Sequence, residues 1–376
     1  MDEMVLDRII SSYVRYILIP KVLRLDIPGF IIEDFTRVGQ NTILRVVFLP
    51  EGLFIRLEYK LKPSFLYFVG KKFSYSYSQI SNLPTIKNLS LKNFLRFVSF
   101  YIKFVEGTQS SGFSHKVDIK RKLFQLKMKN YVVCSRNGKG YLLPLGGVAG
   151  IWAWMLQDLE IEAVQPKCEG RGDNSCVVLA APYQTLREMG YKPLKFTSIE
   201  KIQLDYSKYN TINKIRTVTW AKNSLKNMID AGLLKYEHGI IKYFDERFFL
   251  CGVELIYILE KELRNIKNGL KILWDCSFDF GKRLAEISGK QEACKFIMDF
   301  FPALGFGDIL ASRKEGRYEI FVKYFPWLEW YKDIDFTMFR GMLSGVISGF
   351  TEKNVKLKKI VKDIRGRDFI LYLTEK

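Results

Sequence analysis

Hydrophobic positions along the chain recur with two periods, one typical of helices and one typical of strands. Helical spacing is clear in GVELIYILEKELRNI, where Val253, Ile256, Leu259, Leu263 and Ile266 fall on one face. Strand-like runs and glycine turns separate such stretches, which indicates a mixed α/β protein with hairpins. The same helical spacing predicts further helices over residues 63–80, 91–104, 269–287, 290–304 and 339–350.

Strands are predicted where apolar and polar residues alternate. These runs are residues 41–61 and two lysine-rich stretches, 115–129 and 353–367. In the second lysine-rich stretch, the strand period places Lys356 and Lys358 on one face and Leu357 on the other. Part of the basic charge should therefore face solvent.

The order of these elements occurs twice. In each half, a glycine turn is followed 34 positions later by a helix with two glycines four residues apart, Gly146 and Gly150 in the first half and Gly341 and Gly345 in the second. This spacing stacks both glycines on one helix face, where the missing Cβ atoms let another element approach closely. A duplicated α/β unit is the economical explanation.

The second half carries a series of motifs in a fixed order. They are GIIKYFDERFFL, a helix near Gly252, the WDCSFDFGKRLAE helix, an LGFG turn and a G-x-x-x-G helix, and in the first half a C-x7-C hairpin closes the unit. Together they resemble the 4-vinyl reductase domain superfamily, which includes the aromatic-effector sensor domain of XylR-type activators and is similar in fold to Bet3. The resemblance covers residues 232–376 in good order and residues 20–185 more loosely.

From the repeat and the resemblance we expect an α/β (α+β) fold of two tandem Bet3-like units, each an antiparallel sheet packed against helices. The predicted units are residues 1–186, with the cysteine hairpin, and 232–376, without it, joined by a helical segment at 187–231. Single-unit relatives pair, so the resemblance implies an internal pseudo-dimer and leaves open a further homodimer of whole chains.

The hairpin KCEGRGDNSC holds two cysteines, for which the residues alone leave three alternatives: a metal site, a disulfide or simple packing. The resemblance implies a structural zinc site of pattern E-x-x-C-x7-C with a further cysteine before the glycine helix. Here Gln165 stands at the glutamate position, and the further cysteine, expected near Gly140, is absent. The candidate zinc ligands are therefore Cys168, Cys176, the offset Cys134, and Glu162 or a water.

Catalytic signatures are scarce. The chain has two histidines, His115 in a basic strand and His238 in a predicted turn, and it contains no P-loop, dinucleotide, H-E-x-x-H or G-x-S-x-G motif. Val361 and Phe369 stand at the second unit's hairpin cysteine positions, a loss that a structural staple permits and a catalytic centre does not. We expect no enzyme, and tetrapyrrole vinyl reduction, which the family name suggests, has no nucleotide fingerprint to support it.

Aromatic residues offer a candidate ligand pocket in the second unit. They lie on elements that in the sensor family enclose a hydrophobic ligand, and aromatic walls select flat apolar molecules. The alternative is ordinary core packing. The predicted function is non-enzymatic sensing of a small hydrophobic or aromatic molecule, with a candidate pocket formed by Trp274, Phe278, Phe300, Trp327 and Trp330.

A net charge of +19 and a pI near 9.5 favour a polyanionic partner, although a solvated sheet face explains the same lysines. A helix predicted from Thr219 to Ala231, followed by two strands, also describes the recognition helix and wing of a DNA-binding domain. The alternative function is therefore a nucleic-acid-binding regulator with the sensor units as scaffold, and the candidate contacts are Lys222, Lys226, Lys235, Lys356 and Lys358.

Composition limits the setting. Hydrophobic residues make up 48% of the chain and 11 prolines interrupt it, values typical of a folded globular protein. The N-terminal segment has neither the pattern of a signal peptide nor that of a membrane span. Six sparse cysteines are typical of a reducing compartment, so we expect a cytoplasmic protein.

Overall fold

The computed structural model of the chain describes residues 9, 12–38, 42–109, 112–196, 218–237, 240–328, 332–364 and 368–375. It has a mixed α+β architecture in which three antiparallel sheets pack against helices. This is the fold class that the sequence predicts. Within these ranges, no helix combines the length and the apolar content needed to cross a membrane.

The first unit contains three strands of a central sheet, a set of helices and a four-stranded sheet. A π-helical stretch at Val14–Leu18 leads into its first elements. In chain order they are α1 (Ile19–Val22), β1 (Leu23–Arg24), β2 (Ile31–Asp34), β3 (Ile43–Pro50), α2 (Glu51–Lys60), α3 (Pro63–Ile80), α4 (Leu91–Gln109), β4 (Gly112–Asp118), β5 (Leu123–Lys129), α5 (Cys134–Asn137), α6 (Val148–Leu156), β6 (Ile161–Lys167), β7 (Cys176–Pro182) and α7 (Tyr183–Glu188).

The second unit repeats this arrangement. Its elements are α8 (Leu225–Asp230), β8 (Lys235–Glu237), β9 (Ile240–Tyr243), β10 (Glu246–Gly252), α9 (Glu254–Leu263), α10 (Gly269–Ser288), α11 (Ala293–Ala303), β11 (Asp308–Lys314), β12 (Arg317–Lys323), α12 (Thr337–Thr351), β13 (Leu357–Ile364) and β14 (Asp368–Glu375). The two four-stranded sheets have the same strand order, β4-β5-β7-β6 and β11-β12-β14-β13. This shared order is what a duplicated unit predicts.

The two units share the third sheet, whose order is β1-β2-β3-β10-β9-β8. At its centre β3 pairs antiparallel with β10, and Phe48 lies opposite Leu250 in the middle of the paired positions. Positions 202 residues apart on these strands therefore correspond between the units. One continuous hydrophobic core runs through both units.

A buried glutamate in each unit follows the same offset. Glu58 on α2 accepts hydrogen bonds from the backbone N–H groups of Gly140 and Leu142, at 2.9 and 3.0 Å. Glu260 on α9 accepts them from Asp335 and Thr337, at 2.8 and 3.1 Å. In both units a buried carboxylate thus satisfies otherwise unpaired N–H groups before the glycine helix.

The glycine helices pack as the sequence predicts. A Cβ atom on Gly150 of α6 would clash with the carbonyl oxygen of Lys71 on α3, and one on Gly345 of α12 would clash with that of Phe278 on α10. Each glycine helix therefore lies directly against the backbone of the long helix of its own unit.

One predicted strand is a helix. Residues 41–61 were expected to be strand throughout, but the strand ends at Pro50 and α2 begins at Glu51. Leu53, Phe54 and Leu57 are buried at helical spacing, and this burial on one helix face decides the structure of the stretch. The result makes the first unit more like the second, where α9 follows β10.

The basic C-terminal strand alternates as predicted: Lys356 and Lys358 are exposed and Leu357 is buried. The connecting segment differs from its prediction. The helix expected from Thr219 to Ala231 spans only Leu225–Asp230. The preceding backbone N–H groups, those of residues 219–221, are instead held by the buried carboxylate of Asp308 at 2.7–2.9 Å.

Candidate functional site

Three cysteines meet in the first unit. Cys134 begins α5, Cys168 follows β6 and Cys176 begins β7, and all three are fully buried. The Sγ atom of Cys176 lies 3.4 Å from that of Cys134 and 3.7 Å from that of Cys168. Sulfur atoms on a tetrahedral zinc ion, with Zn–S bonds of about 2.3 Å, lie about 3.8 Å apart. The three thiols are close enough to hold one metal ion.

No disulfide joins the six cysteines, all of which lie in the described residues and are free. Hydrogen bonds from the thiols of Cys134 and Cys176 lower the pKa of Cys168 to about 3. The hydrogen bonds to Cys168 and Cys176, together with burial, raise the pKa of Cys134 well above its ordinary value. The cluster thus shares one negative charge among three sulfur atoms, which suits a cation.

Cys134 reaches the cluster through a strained turn. Val133 has φ of +67°, and the Cys134 N–H donates to the carbonyl oxygen of Val132 at 2.9 Å, so the three residues form a γ-turn. Positive φ is costly for a β-branched residue. The buried carboxylate of Glu51 holds the turn by accepting from the Val133 N–H at 2.5 Å and from Arg136 at 2.9 Å.

The offset cysteine lies where the resemblance places a ligand. A Cβ atom on Gly140 would lie 2.7 Å from the Cβ of Cys134 and 3.0 Å from the Oε1 of Gln165. The side chain of Cys134 therefore lies beside Gly140 in space, although Cys134 is offset from Gly140 in sequence. The amide nitrogen and oxygen of Gln165 are buried and have no hydrogen-bond partner among the described residues.

Glu162 lies apart from the cysteines. It is fully buried, and its carboxylate is 2.9 Å from the Nζ of Lys71 and accepts from the Tyr67 hydroxyl at 2.5 Å. It also accepts from the backbone N–H of Phe196, whose carbonyl oxygen accepts from Lys71. The predicted ligand thus forms a buried ion pair with Lys71 and is not part of the cysteine group.

The predicted pocket of the second unit is packed. Phe300 and Trp327 are 1% and 0% exposed, and the Phe300 ring stacks on Phe296 with centroids 5.0 Å apart. Trp274 and Phe278 are half-buried on α10, and cations of Arg340 and Lys356 lie 5.5 Å from the Trp274 ring centroid. Trp330 lies outside the described residues. Phe300 and Trp327 are packed as the alternative prediction of core packing describes, whereas Trp274 and Phe278 are half-buried.

The cavity lies in the first unit, where the sequence did not indicate one. It has a volume of about 110 Å³ and is enclosed by α3, α4, α6, the β4–β5 hairpin and the central sheet. Eight of its 25 lining residues are aromatic, including Phe73 and Tyr77 on α3 and Tyr101 and Phe104 on α4. Their spacing of three or four residues puts each pair on one helix face, which is the signal that sequence reasoning missed.

One wall of the cavity comes from the second unit. Leu250, Cys251 and Gly252 at the end of β10 line it. The side-chain amide of Gln109 on α4 donates to the Leu250 carbonyl oxygen at 3.0 Å and accepts from the Tyr131 hydroxyl at 3.1 Å. A molecule in the cavity would therefore contact both units.

A single carboxyl faces this cavity. Glu33 on β2 is 3% exposed and accepts a hydrogen bond from the Tyr77 hydroxyl at 2.9 Å. Burial raises the pKa of Glu33 to about 7, and the Tyr77 hydrogen bond only partly offsets this increase. The carboxyl can therefore change its charge near neutral pH.

The predicted nucleic-acid contacts are all exposed. Three of them surround α8 and β8, and there Lys226 forms an ion pair with Asp230 at 2.6 Å. The other two lie at the second four-stranded sheet, where β13 begins at Leu357. The five exposed lysines are Lys222, Lys226, Lys235, Lys356 and Lys358.

No protein-family model, no curated protein and no solved structure matches this chain. The function therefore has to be argued from the chain's own geometry.

Proposed function

We propose that this protein is a non-enzymatic, ligand-sensing regulatory protein that binds a small hydrophobic or aromatic molecule in the cavity of the first unit. The cavity carries this proposal. A buried water needs about 10–15 Å³ on the same measure of volume, so 110 Å³ has room for roughly eight atoms of that size. Its aromatic walls and few polar groups are typical of pockets that bind apolar molecules.

The expected mechanism is a shift between two packings of the units. Because β10 forms a wall of the cavity and continues into α9, a ligand contacts the second unit directly. Binding then favours the arrangement in which β10 closes against the ligand. The hydrogen bond from Gln109 to the Leu250 carbonyl oxygen is a polar contact between the units on which such a shift would act.

We propose that Cys134, Cys168 and Cys176 hold a structural zinc ion, with Gln165 or a water as the fourth ligand. The three buried thiols, their mutual distances and the unpartnered amide of Gln165 support this set. Zinc supplies a cross-link there, and it joins the strained turn at Cys134 to the β6–β7 hairpin. In this role the ion stiffens the first unit without contributing chemistry.

A nucleic-acid-binding regulator is the second candidate function. The observation that favours it is the net charge of +19 together with five exposed lysines. Contacts to several phosphates would make binding fall steeply with salt. Retention on heparin and on DNA should then be lost together when Lys356 and Lys358 are changed to glutamate.

The proposed function is tested by filling the cavity. Val46 lines it from β3, and Val46→Phe should occupy the space, whereas Val46→Ala should enlarge it. Thermal shift measured with a panel of small aromatic molecules should show stabilisation of the wild type and of Val46→Ala, and none of Val46→Phe. Equal stabilisation of all three proteins would place binding elsewhere, and no stabilisation of the wild type by any member would refute the proposal.

A further inference from the structure

The charge inside the cavity is opposite to that of the protein. Of the 25 residues that line the cavity, Glu33 is the one whose side chain carries a formal charge. The whole chain has a net charge of +19. Among the described residues, no lysine, arginine or histidine forms an ion pair with Glu33. A buried carboxylate without a cation is costly, and a positively charged ligand would offset this cost.

We propose that the ligand is a small primary amine with an apolar body, whose ammonium group lies against the carboxylate of Glu33. This inference rests on the proposed function and adds the chemical class of the ligand. The apolar body would fill the remaining space among the aromatic walls. The proposed binding site consists of residues of the first unit and of the end of β10 from the second unit.

The surroundings of Glu33 suit a cation. Tyr77 and Tyr101 present aromatic rings to the same cavity, and an ammonium group gains attraction from such ring faces. The Tyr101 hydroxyl has no hydrogen-bond partner in the described part of the chain. The amide oxygen of Gln109 already accepts a hydrogen bond from Tyr131, and Glu33 is the acceptor among the lining residues that can carry a negative charge near neutral pH.

Within the described ranges, the titratable groups that face Glu33 carry no positive charge that could balance its carboxylate. Tyr77 on α3 donates a hydrogen bond, and Tyr101 on α4 has its pKa raised by burial and by Glu33. Cys251 on β10 has its pKa raised by burial, by Glu254 and by Glu33. All of these groups are neutral or negative near pH 7. With the pKa of Glu33 at about 7, an ammonium ligand must bind more tightly as pH rises and the carboxylate forms.

The experiment compares ligands that differ in charge but not in size. Binding of benzylamine and butylamine to the full chain is measured by calorimetry at pH 6, 7 and 8, against benzyl alcohol and 1-butanol. The fraction of ionised Glu33 rises from about one tenth to about nine tenths across this range, so amine affinity should rise roughly tenfold. Alcohol affinity should stay nearly constant.

Variants separate this inference from the function on which it rests. Glu33→Gln should remove the pH dependence and weaken amine binding about tenfold, and leave alcohol binding unchanged. If Glu33→Gln does not fold, the wild-type pH profile of the matched ligands decides alone. Alcohols binding as well as amines at every pH would overturn the amine proposal and keep the cavity's function. Binding of neither class would overturn both.

Discussion

The two units carry different side chains at two matched positions of the central sheet. On the central sheet, Glu33 lies opposite Leu44 in the first unit, and Tyr243 lies opposite Glu246 in the second. Because Leu44 and Glu246 correspond by the offset of 202, Glu33 and Tyr243 occupy matched positions on the neighbouring strands. By the same offset, Val46 corresponds to Phe248. The second unit thus has large aromatic side chains where the first has a carboxyl and a valine.

The consequence is visible in the packing. In the second unit, the Tyr243 ring lies 4.8 Å from that of Phe300, and the Phe248 ring lies 5.8 Å from it. In the first unit, Glu33 and Val46 instead line the cavity. The strand order of the units is the same, so the difference at these two positions lies in their side chains.

The cysteines give the largest expected difference between the units. Cys168→Ser should remove the metal, with a loss on the order of 4 kcal/mol in the free energy of unfolding, because a structural zinc contributes directly to folding. Cys294→Ser, at a buried cysteine of the second unit, is the matched control and should keep about one Zn²⁺ per chain. Elemental analysis and thermal unfolding measure both effects. If Cys168→Ser retained zinc, the cysteine cluster would not be the metal site.

Exchanging the matched wall residues should have opposite consequences. Phe248→Val removes buried ring atoms that contact Phe280 and Phe300, and it should cost about 3 kcal/mol in the free energy of unfolding. Val46→Phe adds atoms where space exists and should change stability by less than about 1 kcal/mol. Urea denaturation of both variants measures the contrast. Equal losses would mean that the first unit is packed as tightly as the second.

The ionisation of Glu33 gives the stability of the first unit a pH dependence. The folded state raises the pKa of Glu33 from 4.5 to about 7, so it binds a proton that the unfolded chain has lost. Wild-type stability from this group is therefore present at low pH and falls as pH rises from about 4.5 to 7. Relative to the wild type, Glu33→Gln should gain about 2–3 kcal/mol between pH 5 and pH 8. A constant difference in melting temperature across this range would contradict the assignment.

The glycine helices should respond alike in both units. Gly150→Ala and Gly345→Ala each force a Cβ against a carbonyl oxygen, and each should cost about 2 kcal/mol in the free energy of unfolding. Gly147→Ala is the control, because its added Cβ would lie 3.3 Å from the Ser74 Oγ and no closer to other atoms. Thermal unfolding of the three variants compares them. Tolerance of alanine at one of the two helix positions alone would show that the units pack differently there.

Much of the fold could be predicted because its helices are long and amphipathic. Residues 63–80 match α3, and the glycine spacing gave the helix contacts of both units. The stretch at α2 was misassigned, since its short apolar run fits either period until a burial partner is known. In the predicted second-unit pocket, Phe300 and Trp327 lie in the core and Trp274 and Phe278 are half-buried.

The site itself was only partly predictable. Cys168 and Cys176 follow from the hairpin pattern, but Cys134 reaches them through a turn that Glu51 holds from 82 residues away in sequence. The cavity depends on which side chains face each other across β3 and β10, and register between distant strands is set by tertiary packing.

The central claim is that the space between helices and central sheet is open in the first unit and filled in the second. Diffraction from crystals soaked with iodobenzene tests it most directly, since anomalous scattering locates the iodine. The account predicts a peak between Tyr101 and Cys251 that disappears in Val46→Phe, and none beside Tyr243. A peak beside Tyr243 with none near Glu33 would contradict it.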